Sequence, residues 1–199
     1  MAHHPINFDL RKTILIVALA NFAYFGVESW VAFSIGSVSL FADSVDFLED
    51  TSVNLLILIG LGWTSINRAR LGKGLAILLL APALATLWTI WTKLAVPTPP
   101  DAVALSLTSV GAFCVNLGCA FLLARFRAKQ SGLSRAAFLS ARNDVFANVA
   151  IFAAGLVTAF LWVSHWPDIL VGIAIAAVNM DAAKEVWTMA NKEQAALRS

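Results

Sequence analysis

Charge is what this sequence has least of. Only 13% of its 199 residues are Asp, Glu, Lys or Arg, where a soluble domain stands nearer a quarter. With 59% hydrophobic residues and a mean hydropathy of +0.78, the composition describes a polytopic membrane protein with little soluble mass. Cysteine is nearly absent. Cys114 and Cys119 lie in one apolar run, off a common helical face and outside any CxxC pattern, and read as free core thiols because cysteine buries readily. Histidine is confined to His3, His4 and His165. The first two are a weak metal-capture signal. His165 sits in a loop, where solvation is the simpler reading. There is no HExxH, GxSxG or P-loop sequence, so no enzyme activity is expected. The basic loops offer no run of aromatic stacking residues, and nucleic acid is not an expected partner. No small-residue cleavage site follows the first apolar segment, so no signal peptide is expected.

What is present is long apolar runs. Six occur, at about residues 13–33, 37–63, 75–94, 102–123, 136–163 and 168–187, each near the ~17–25 residues that a bilayer crossing needs. Pro97, Pro99 and Pro100 forbid helix between the third and fourth, and Pro167 is well placed to start the sixth. The expected fold is all-α, with six transmembrane helices. Residues 1–12 are a cytosolic lead, 13–190 the transmembrane domain, and 191–199 a short cytosolic tail. Basic residues set the orientation. Arg11 and Lys12, then Arg68, Arg70 and Lys73, then Arg125, Arg127, Lys129 and Arg135, then Lys184, Lys192 and Arg198 all fall on one side, and the other side carries only Lys93. That asymmetry places both termini in the cytosol.

The second span carries the unusual feature. Read as a helix, Gly36 to Gly60 puts Asp43, Asp46 and Asp50 on one stripe, continued by Asn54. Glu49 points about 100° away from Asp50. An ionised carboxylate inside a bilayer costs at least ~2.5 kcal/mol on insertion scales, so such residues usually mark an ion or proton path. Asn21 and Glu28, seven apart, share a face of the first span, and Ser140, Asp144 and Asn148 share a face of the fifth, with Asn143 at its edge. Arg142 points off that face and is a candidate partner for Glu49. A charge-swapped double variant at Glu49 and Arg142 is expected to recover expression that either single variant loses. Spans three, four and six carry little: Lys93, Asn116 and the thiols, and Asn179 with Asp181. Spans one, two and five should therefore pack together.

Two carboxylates at i, i+4 can hold one divalent cation, and oxygen from a second helix completes a small site. Asp46 and Asp50 supply the first pair, and Asp144, with Ser140, the rest. Three ionised aspartates close together repel, so protons are expected there until metal displaces them. Metal–proton exchange follows from that competition, though not its direction.

GSVSLFADSVDFLED, with a second polar pair in the fifth of six spans, resembles the cation diffusion facilitators, a family of divalent-metal efflux carriers. Asp46 and Asp50 match its second-span motif of ligand, three residues, aspartate. Asp43 falls where the family is often acidic. Asp144 matches the second ligand of the fifth span, and Ser140 stands where the family has His or Asp. The likeness is strongest to a short bacterial branch, through DFLED, Arg142-Asn143-Asp144 and Trp166-Pro167-Asp168. The resemblance implies a carrier of the bacterial inner membrane that exports a divalent transition metal by proton-coupled alternating access. Its metal ligands would be Asp46, Asp50, Asp144 and Ser140, with Asp43, Asn21, Glu28, Asn143, Asn148 and Asn54 along the path or beside it. No cofactor is implied beyond the transported ion. Family frequency puts Zn2+ first, with cobalt, cadmium, manganese or iron(II) behind it, and an oxygen-rich ligand set leans toward harder ions. The chain departs from the family in its short tail and in having no histidine between spans four and five. A regulatory cytosolic domain is thus not expected, and a homodimer would form through the membrane helices. The alternative is a non-transporting subunit that pairs with a full-length carrier.

Overall fold

The computed structural model describes residues 8–60, 84, 86–95, 97–124, 132–178, 180 and 188, with the side chains of 8–10, 60 and 132–143 outside that description. Among the described residues six helices are found: α1 (Phe8–Ile35), α2 (Val38–Gly60), α3 (86–95), α4 (Ala102–Ala124), α5 (Gly132–Phe160) and α6 (Trp166–Val178). Among the described residues there is no strand. The helices fall on the six apolar runs, and α6 starts slightly earlier than Pro167 indicated. The segments 61–83, 125–131 and 189–199, which hold most of the orienting basic residues, lie outside the described residues.

Local chemistry explains the boundaries. α1 stops where Gly36 takes a left-handed backbone (φ 61°), a conformation that glycine adopts without a Cβ penalty. The Ser37 amide then closes back onto the Ala32 carbonyl at 2.9 Å. Ser37 caps α2, its hydroxyl oxygen accepting from the Leu40 amide at 3.2 Å. Asp101 caps α4 after the proline turn, one oxygen accepting from Val103 and Ala104 amides at 3.0 and 2.8 Å. α5 ends at Phe160, where the Leu161 and Trp162 amides both close onto the Val157 carbonyl.

α1 packs on α2 and α4, and α5 packs on the same two helices, so the four make a ring. The shared core draws on α1, α2, α4, α5 and α6 through Ala32, Leu40, Ala42, Leu105, Ile151 and Ile175. α6 approaches α2 closely enough that a Cβ on Gly172 would lie 2.6 Å from Val38 Cγ1 and 2.9 Å from its carbonyl carbon. Gly172→Ala is therefore expected to lower stability by about 1–3 kcal/mol, as overpacking against backbone does; a melting curve in detergent checks it.

The outside of the ring is apolar. α1 and α4 are long and apolar enough to cross a membrane, and less than a third of the α1 window is buried within the protein. Leu15, Ile16, Leu19, Phe22 and Val27 line its exposed side. At the end that holds the α1–α2 turn, Trp30, Phe33, Trp88, Trp91, Phe160, Trp162 and Trp166 are all exposed. An aromatic girdle of this kind sits at a bilayer–water boundary.

Candidate metal centre

The acidic stripe of α2 faces inward. Asp43, Asp46, Asp50 and Asn54 are buried, as their common face predicts. Opposite them α5 presents Asp144, half-buried, and Asn148, fully buried. The Asp46 and Asp50 carboxylates both lie within the electrostatic field of Asp144. α1 contributes Asn21, whose Nδ2 donates to Asp50 Oδ2 at 3.3 Å. Its Oδ1 in turn accepts from Cys119 Sγ of α4 at 3.6 Å. This chain fixes the Asn21 amide and turns one Asp50 oxygen toward α1.

Two asparagines repeat one arrangement. Asn54 Nδ2 donates to the Asp50 carbonyl at 2.7 Å, and Asn148 Nδ2 donates to the Asp144 carbonyl at 2.7 Å. Each is thereby held one turn beyond a candidate ligand. The Oδ1 atom of each is buried without a hydrogen-bond donor. Buried amide oxygens are normally satisfied, and two neutral oxygen donors next to the aspartates suit a site that handles hydrated or partly hydrated cations.

The carboxylates share a field without sharing a point. Among the described residues, no three His, Cys, Asp or Glu side chains converge tightly enough to hold an ion between them. The side chains of Ser140 and Asn143, both expected here, lie outside the described residues, although their backbone is helical within α5. The side chain of Arg142 also lies outside the described residues, and with it the expected pairing with Glu49.

Residues 71–187, more than half of the chain, match the family described as the cation efflux transmembrane domain. The chain belongs to the cation efflux family. It is a membrane protein of cation transport, and the family's members are transporters, not enzymes. The match spans α3 to α6, with Asp144 and Asn148 inside it, while α1 and α2 with their acidic residues precede it. Comparison with curated proteins returns no match.

In this cation efflux protein the helices expected to carry little carry a second polar centre. Asp168, fully buried at the start of α6, receives four hydrogen bonds from the start of α2. Ser37 Oγ and Ser39 Oγ each donate at 2.6 Å, the Val38 amide at 2.8 Å and the Ser39 amide at 3.1 Å. Lys93 of α3, also buried, lies 3.8 Å from Asp168 and donates to the Gly36 carbonyl. The sequence held a signal for this. Lys93 is the lone cation of its side, and a buried cation needs an anion. Asp101 and Asp168 were the acids within reach. α4 also contributes more than expected, since Cys119 reaches Asn21 and Tyr24 donates to the Thr108 carbonyl at 2.6 Å.

Proposed function

We propose that this chain exports a divalent transition-metal cation across the bacterial inner membrane in exchange for protons, by alternating access. The observation that carries the reading is the burial of Asp46 and Asp50 on α2 across from Asp144 on α5, in one another's field. Such an array is unfavourable without a cation or protons to neutralise it. Both states are therefore bound states of the same site, and a carrier needs just that competition.

Asp46, Asp50 and Asp144, with Ser140, ligate the ion. Asn21 orients Asp50, and Asn54 and Asn148 offer neutral oxygen as the ion sheds water. An all-oxygen set accepts Zn2+ with water completing the shell and also suits manganese; zinc is put first. The ion enters from the cytosolic side, rocking of the helices exposes it outward, and protons replace it. Six helices cross the bilayer, both termini lie in the cytosol, and two copies associate through membrane helices.

The test is ion uptake into proteoliposomes under an imposed pH gradient, with zinc, cobalt, manganese and iron(II) followed separately. Uptake that needs the gradient and is lost in Asp50→Ala is expected. No flux of any of these ions by folded protein would sink the reading and favour a subunit that depends on a full-length partner.

A further inference from the structure

We propose that Glu28 of α1 and Asp43 of α2 form a second divalent-cation site, separate from the Asp46–Asp50–Asp144 site and nearer the α1–α2 turn. Both side chains are fully buried, at 0% exposure. Their carboxyl groups face one another within hydrogen-bond reach, yet none of the four oxygens meets a donor. Two ionised carboxylates offer each other only acceptors, so the pair is satisfied only by a proton held between them or by a cation.

The surroundings supply no remedy. The Tyr24 hydroxyl lies close enough to feel both charges, but its proton goes to the Thr108 carbonyl at 2.6 Å. Gly111 leaves room for that hydroxyl, since a Cβ there would lie 2.2 Å from it. Lys93, a basic residue of this end, is committed to Asp168 and the Gly36 carbonyl. Buried carboxylates without a protein counter-charge carry a large burial cost, and a hard divalent ion takes oxygens of this kind from two helices. Glu28 comes from a different helix than the acidic stripe and is aimed into it, so the pair is more than a run of acids on one face.

Asp43 lies five residues from the midpoint of Asp46 and Asp50, about 7.5 Å along the helix at 1.5 Å per residue. That is far enough for an ion at each place, and near enough for one to repel the other. In the orientation proposed above, the second site lies on the outer side. It serves as a way station, where an ion leaving the aspartates rests before release and hastens the next exchange by repulsion. The inference rests on the transport reading for the identity of the ion.

Equilibrium dialysis of the purified full chain in detergent against zinc(II) tests it, with monodispersity checked by gel filtration. The wild type is expected to retain two ions per chain, Glu28→Gln and Asp43→Asn one each, and Asp50→Asn one. A wild type that holds a single ion, kept in Glu28→Gln and lost in Asp50→Asn, overturns the second site and leaves the transport reading standing. A single ion lost in every variant overturns it too, since one shared site then spans all of these residues. No zinc and no manganese(II) retained by the wild type overturns both readings. Should Glu28→Gln not fold, the wild-type ratio and Asp43→Asn still decide.

Discussion

Asp168→Ala is expected to lower stability by about 3–5 kcal/mol, the cost of removing one half of a buried, hydrogen-bonded ion pair. The loss has three parts. The Val38 and Ser39 amides at the start of α2 lose the acceptor that joins them to α6. Those are first-turn groups with no partner inside their own helix, and the carboxylate also complements the positive end of the α2 dipole. The Ser37 and Ser39 hydroxyls lose acceptors at 2.6 Å. Lys93 keeps only the Gly36 carbonyl and becomes a buried cation without its counter-charge. Melting in detergent, followed by tryptophan fluorescence, reads the effect. The double variant Lys93→Met with Asp168→Leu removes both charges and is expected to recover part of the loss. A single variant that melts with the wild type would mean that the clamp holds nothing together.

The contrast between this clamp and the acidic stripe explains what the sequence could and could not show. Helix positions were legible because apolar runs of membrane-spanning length and their Pro and Gly punctuation act locally. Asp43, Asp46, Asp50 and Asn54 were legible as one buried face because helical spacing is also local. The partners of Asp168 were not. They lie about 130 residues away, and nothing in the spacing of α6 says which helix start its carboxylate meets. The same holds for Cys119, whose contact with Asn21 depends on α4 packing against α1. Glu28 and Asp43 fall between these cases. Each was visible as a polar residue in an apolar run, and only the α1–α2 packing shows that they face one another without a donor.

The two acidic centres should therefore answer substitution with opposite signs. If Asp46 ligates the ion as proposed, Asp46→Asn is expected to reduce metal uptake by more than ~100-fold, since the loss of a direct ligand exceeds the 10–100-fold seen for supporting partners. In metal-free buffer the same variant is expected to be more stable than the wild type, by about 0.5–2 kcal/mol, as when a strained functional site is relieved. The reason is electrostatic. Asp46 is buried in the field of Asp144, Asp43, Glu49 and Asp50, and a neutral amide of the same shape removes its share of that repulsion. Asp168 differs because its carboxylate is satisfied by donors and a cation, so its loss leaves orphans. Uptake and melting measured on one preparation of Asp46→Asn separate the roles. Lost uptake with a raised melting temperature marks a site kept for the ion. Lost uptake with a melting temperature lowered as far as that of Asp168→Ala would make Asp46 a structural carboxylate and remove it from the ligand set.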